Sequence, residues 1–197
     1  MKRLLQALGA AIDLRDNETA GHSRRVCRFS LEIARAMGWS DKQLGSLARG
    51  AYLHDIGKLG IPDGILLKPG PLTADERKLM QQHVQIGFDV VKDIPFLADV
   101  AEIILMHHER YDGGGYPRGL NGEEILQGAR IFAVADTLDA ITSERPYRRA
   151  SSFESARETI RRLPGSQFDP QVVNVFLSIR EDIWPAIARN QRQITGL

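Results

Sequence analysis

A chain of 197 residues with 43% apolar and 26% charged side chains is long enough to bury a sizeable core and reads as one domain. Its formal net charge of +1 excludes a global pull toward nucleic-acid polymers or membrane surfaces, so any anion site has to be local. The lone cysteine, Cys27, excludes an internal disulfide and suits a reducing, cytoplasmic setting; no apolar stretch reaches the roughly 18 residues of a membrane span, and the start MKRLLQALGAAIDLRD has no signal-peptide cleavage site.

The hydrophobic period is helical almost throughout. Residues 2–14 predict a first helix. The stripe Glu18, His22, Val26, Phe29, Ile33 predicts a second, running from about Glu18 to Met37 and stopped by Gly38. Arg24, Arg25 and Arg28 fall on its solvent side. Ser40 and Asp41 suit the cap of a third helix, whose inner stripe of Leu44, Leu47, Ala48 and Ala51 ends on His54 and Asp55. Residues 57–72, with four glycines and three prolines, read as a long loop. Thr73 and Glu76 form a capping box for a helix to about Val91, and His83 lies on it.

Pro95 opens a helix whose inner face, Leu97, Val100, Ala101 and Ile104, continues into His107 and His108. Residues 109–128 hold six glycines and read as a second loop. Residues 129–143 are apolar on almost every side and predict a central buried helix with Asp136 at its middle. Ser151 and Glu154 suit the cap of another helix, to about Leu163; Asp169 and Pro170 suit the start of one more, through Ile179. No strand-like alternation is present. The expected fold is all-α, a bundle of about eight helices without an internal domain boundary.

All five histidines, His22, His54, His83, His107 and His108, lie where a metal cluster could use them, and Asp55 and Asp136 bring the candidate ligands to seven. That exceeds the needs of one ion and suits two that share a carboxylate. Asp136 inside an apolar helix would be costly unless paired or metal-bound. Asp139, one turn further on, is a candidate to orient a ligand instead of binding an ion. Two adjacent cations serve hydrolysis above all of phosphate esters. Nitrogen and oxygen donors without cysteine suit Fe, Mn, Zn, Ni or Co.

Three segments, HDIGKLGIPDGILLKPGPLT, HHERYDGGGYPRGL and ARIFAVADTLDAITSERPYR, resemble the HD-GYP domain, a branch of the HD phosphohydrolase superfamily. The resemblance covers about residues 10–150, with helices continuing over 151–197. It implies an all-α bundle that hydrolyses the bacterial second messenger cyclic di-GMP to pGpG and onward to GMP, with two or three divalent ions, Fe or Mn. Position by position it implies His22, His54, Asp55, His83, His107, His108 and Asp136 as ligands, with Asp55 bridging. Glu18 matches the acidic ligand of three-metal members. Lys58 matches a lysine near the scissile phosphate, Tyr116 the GYP tyrosine, and Arg145 and Arg148 basic positions that contact the dinucleotide. Arg148 departs from the more common lysine, which keeps charge and alters hydrogen-bond geometry.

The expected chemistry is attack by a metal-bridging hydroxide in line with the leaving sugar oxygen, with Lys58 offsetting developing charge and no separate side-chain base. Glycines 113–115 let backbone approach a flat ligand, and Tyr116 suits base stacking or a phosphate contact. Two other readings use the same residues: cleavage of another cyclic dinucleotide such as cyclic GMP-AMP, and a non-catalytic cyclic di-GMP receptor or interaction module. The intact GYP segment argues against a hydrolase of simple nucleotides, and the complete ligand set argues against a degenerate receptor. Diguanylate cyclase (GGDEF) proteins and a second copy of the chain are the candidate protein partners.

Overall fold

The computed structural model describes residues 2–15, 21–144 and 149–189, and it is helical throughout. In chain order the helices are α1 (Lys2–Arg15), α2 (His22–Ala36), α3 (Asp41–Leu53), α4 (Asp63–Leu66), α5 (Ala74–Gln81), α6 (His83–Val91), α7 (Ala101–Met106), α8 (Gln127–Thr142), α9 (Phe153–Arg161), α10 (Pro170–Ser178) and α11 (Ile183–Arg189). Short 3₁₀ segments cover Ile56–Gly60, Ala98–Val100 and Gly122–Glu124. The only strand-like pairings among the described residues are two isolated bridges. No helix among them is long and apolar enough to cross a membrane.

The all-α expectation stands, with eleven α-helices among the described residues in place of about eight. The excess comes from interruptions that side-chain periodicity does not register. The helix expected from Thr73 to Val91 breaks at Gln82, and the one expected from Pro95 starts at Ala101 behind a 3₁₀ turn. The segment read as loop over 57–72 carries a 3₁₀ turn and α4. Among the described residues the second helix runs from His22, and Gly21 in front of it takes a left-handed φ of 81°. Glu18, Arg145 and Arg148 lie outside the described residues.

Caps explain where several elements begin. Ser40 N bonds Gln43 Oε1 at 3.0 Å and opens α3. Thr73 and Glu76 close their reciprocal box at 3.3 and 2.7 Å. Asp169 accepts from Gln171 N with Pro170 at the first turn of α10. For α9 the cap is Ser152, whose hydroxyl accepts from Ser155 N, and not Ser151.

Two apolar clusters share α3. One joins its Leu47, Ala48 and Ala51 to α2, α8, α9, α10 and α11, around fully buried Phe29, Phe132, Phe176 and Trp184. The other joins Leu53 and Ile56 to α1, Val91, Val100 and Ile104. The end of α3 therefore lies on the seam between them, and that seam is where His54 and Asp55 emerge. Here the 3₁₀ segment meets α6 backbone to backbone: a Cβ on Gly57 would sit 1.9 Å from the His83 carbonyl oxygen and 2.5 Å from Gly87 N.

Candidate metal centre

The five histidines and two aspartates converge from five elements. His22 opens α2, His54 caps α3, His83 opens α6, His107 and His108 follow α7, and Asp136 is on α8. Two groups of three have ligand atoms within 4.8 Å of one another: His83, His107 and His108, and separately His22, His54 and Asp136. Asp55 stands between them. Its Oδ1 is 3.4 Å from His83 Nε2 and 3.9 Å from His107 Nε2, while its Oδ2 is 2.9 Å from His54 Nε2.

Four imidazoles are held in one tautomer. Nδ1 of His54, His83 and His107 donates to the carbonyls of Ala51, Met80 and Ile104 at 3.0, 2.8 and 2.7 Å, each three residues back. Nδ1 of His22 donates to Asp139 Oδ2 at 2.8 Å. Nε2 is thereby left with its lone pair, the form that binds metal. His83 Nε2 and His107 Nε2 then face each other at 3.3 Å, two acceptors in contact. A cation between such atoms relieves their repulsion, and the nitrogen and oxygen donors suit a first-row divalent ion. The residues fit a metal pair.

Electrostatics agree. Burial and the neighbouring histidines hold His107 well below the usual imidazole range, and burial pushes His108 down to about 3. Burial also lowers His83. His54 goes the other way: burial opposes its charge, but Asp55 outweighs burial and raises it. For Asp55 burial alone would favour the neutral acid, yet His54 and Lys58 hold the carboxyl well below its usual range. Lys58 Nζ lies 2.8 Å from Asp55 Oδ2, with its side chain 15% exposed.

The α8 carboxylates swap the expected burial. Asp136 is 30% exposed and faces His22 Nε2 at 3.6 Å, so the cost of burying it does not apply; Asp139 is the buried one, at 1%. Its charge is matched by Arg25, whose Nε and Nη2 donate at 2.6 and 3.1 Å, and by Ser143 Oγ at 3.1 Å. Arg25 is therefore not on a solvent face. The orienting role expected of Asp139 from its place one turn beyond Asp136 agrees with its bond to His22 Nδ1. Phe132 packs its ring 4.7 Å from that of His54 and 5.5 Å from that of His107, closing the inner side.

The GYP loop closes the outer side. Tyr116 stacks on His108, centroids 4.8 Å apart and planes at 26°, and Tyr116 N donates to His108 O at 3.2 Å. Gly115 lies so close that a Cβ there would be 2.6 Å from His108 O and 2.4 Å from Arg110 N. Glu109, which the sequence reading passed over, is 4% exposed and accepts from Arg118 N and Leu120 N at 2.8 and 3.1 Å, tying the loop across its base. Between loop and helices opens a cavity of about 340 Å³, lined by His107, His108, Asp136, Gln81, Thr137 and Gln167 among others.

Comparison with known proteins places this arrangement. Residues 6–172 match the HD domain family. A Thermotoga maritima cyclic di-GMP phosphodiesterase is 44% identical over 195 residues, covering 98% of this chain and 53% of the relative. The cyclic di-GMP phosphodiesterase response regulator RpfG of Xanthomonas campestris pv. campestris is 40% identical over 184 residues, covering 92% and 49%. The chain thus spans about half the length of these relatives. Its fold is similar to a Vibrio cholerae cyclic GMP-AMP specific phosphodiesterase, V-cGAP3, with a TM-score of 0.70 at 24% identity over 95% of this chain and 53% of that one. The family match takes in every described residue of the centre, so the chain belongs to the HD domain family, and its motifs and relatives put it in the HD-GYP branch.

Proposed function

We propose that the protein is a metal-dependent phosphodiesterase that opens the ring of cyclic di-GMP to give pGpG. One observation carries the reading: the two oxygens of Asp55 divide between two trios of metal-ligating side chains, with a lysine at hydrogen-bond distance from one of them. The 40–44% identity to proteins named for cyclic di-GMP supports the choice of substrate.

His22, His54, Asp55, His83, His107, His108 and Asp136 hold the ions, with Fe or Mn as the proposed identities. Bound ions of this kind activate a water molecule and draw in the non-bridging oxygens of a phosphodiester. Asp55 fixes the separation of the two trios. Lys58, beside that carboxylate, places positive charge where the leaving oxygen develops its negative one. Phe132 keeps bulk water from the inner face, and Tyr116 and His108 form the wall against which the dinucleotide lies. Arg145 and Arg148 are proposed to hold its phosphates, and Glu18 to support a third ion.

The test is anaerobic loading with Mn(II) or Fe(II), then incubation with cyclic di-GMP, 3′3′-cyclic GMP-AMP and cyclic di-AMP and separation of the products. The expected outcome is metal-dependent pGpG from cyclic di-GMP. Preference for cyclic GMP-AMP would reassign the substrate. Tight binding of cyclic di-GMP without turnover at any metal loading would make the chain a receptor.

A further inference from the structure

One lining residue of the cavity, Gln167, comes from a part of the chain outside all three motifs. After α9 the backbone makes a tight turn: Gly165 takes a φ of 76°, Gly165 N bonds Phe168 O at 2.8 Å, and Phe168 N bonds Leu163 O at 3.1 Å. Both flanks are fastened. Phe168 is buried in the larger core cluster, and Asp169 caps α10 while pairing with Arg130 of α8 at 2.5 Å. On its open side the turn grips the GYP loop, its Ser166 and Gln167 carbonyls accepting from Asp112 N at 2.8 Å and Tyr111 N at 3.3 Å. Gln167 is thus set rigidly against the cavity, and its carboxamide Nε2 donates to Thr137 Oγ1 at 3.4 Å. Thr137 directly follows the ligand candidate Asp136.

We infer that Gln167, held by Thr137, is a specificity-determining residue that reads a guanine of the bound cyclic dinucleotide. The inference rests on the phosphodiesterase reading above. With Nε2 turned to the threonine hydroxyl, the carboxamide keeps Oε1 as an acceptor, and Oε1 has no hydrogen-bond donor among the described residues. Guanine presents two adjacent donors on its pairing edge, N1–H and the N2 amine, where adenine has an acceptor at N1 and no amine at C2. Adenine's pairing edge offers a single donor, the N6 amine, so an acceptor in the wall that meets the adjacent N1–H and N2 amine favours guanine. Helix α8 fixes the distance between this wall and the metal trio, because Asp136 and Thr137 are consecutive.

The test measures equilibrium binding of non-hydrolysable phosphorothioate analogues of cyclic di-GMP, 3′3′-cyclic GMP-AMP and cyclic di-AMP to the metal-loaded protein, alongside metal content. Gln167→Ala should weaken both guanine-containing ligands about tenfold, the scale of one engaged hydrogen bond in a desolvated site. It should leave the weaker cyclic di-AMP binding and the metal stoichiometry unchanged, so that selectivity collapses. Thr137→Val should shift selectivity the same way by a smaller factor. Equal loss for all three ligands, or no loss for any, overturns the inference and leaves the phosphodiesterase reading intact. A wild-type protein that neither binds nor hydrolyses any of the three overturns that reading and the inference with it.

Discussion

The two trios of the candidate metal centre, three imidazoles in one and two imidazoles with Asp136 in the other, are held in different ways. His83 and His107 donate Nδ1 to a main-chain carbonyl three residues back, as does His54 in the other trio. No substitution can remove such an anchor, because the acceptor is main chain. His22 instead depends on the side chain of Asp139, 117 positions away, which in turn depends on Arg25. One half of the site is fastened by local backbone and the other half partly by a long-range network of charges. The second kind of anchor can be broken by a single mutation.

The largest test of the comparison removes what both halves share. Asp55→Ala should release ions from both trios and lower turnover at least about a hundredfold, since the proposed bridging ligand is gone; near-normal turnover with full metal content would contradict the shared-carboxylate arrangement. Asp139→Asn should act on one half only. It keeps the shape and removes the charge behind His22, so the affinity for one ion should fall about 10–100-fold while the other is retained. Calorimetric titration of the stripped protein resolves the two events, and equal weakening of both would mean that the halves are not independently anchored.

Glu18→Ala sharpens the same contrast by asking whether the His22 half takes an additional ion. Metal analysis of the loaded variant should show one ion fewer with part of the activity kept; unchanged stoichiometry would remove Glu18 from the ligands. The smallest effect concerns pH. In the stripped protein His83, His107 and His108 are held neutral below the usual imidazole value of 6.5. As pH falls through 6.5 the unfolded chain gains protons that the folded chain does not, so the stability present above that value declines toward the folded value of about 3 for His108. His54, with its raised value, works in the opposite direction for one group. The thermal midpoint of the stripped protein should therefore drop between pH 7.5 and 5.5, and drop less in His108→Gln. An unchanged slope in that variant would mean that His108 is not a buried neutral group.

The candidate ligands were legible because each lies at a helix end or on a helix face, and a 3.6-residue period carries such positions without knowledge of the tertiary fold. What surrounds them was harder to read. Asp136 and Asp139 occupy one apolar helix, and sequence cannot say which faces the cavity; α8 is covered on several sides, so burial does not follow its composition. Arg25 looked like one of three solvent-facing arginines until Asp139 was placed beside it. The breaks at Gln82 and before Ala101 are backbone events between segments of unbroken apolar pattern. Gln167 had no signal at all, since its position depends on a turn anchored to α8 and α10 and on the GYP loop it grips.

The contact at Gly57 sets a dimension of the site. His83 and the His54–Asp55 pair belong to separate segments, and where those segments meet there is no room for even a methyl group. The gap that Asp55 spans to reach His83 is consequently fixed by the thickness of two peptide backbones pressed together, not by how side chains happen to pack. Gly57→Ala would push directly on the carbonyl of a proposed ligand residue, His83. The protein thus carries the spacing of its candidate ligand groups in the main chain, beyond the reach of drift in the surrounding core.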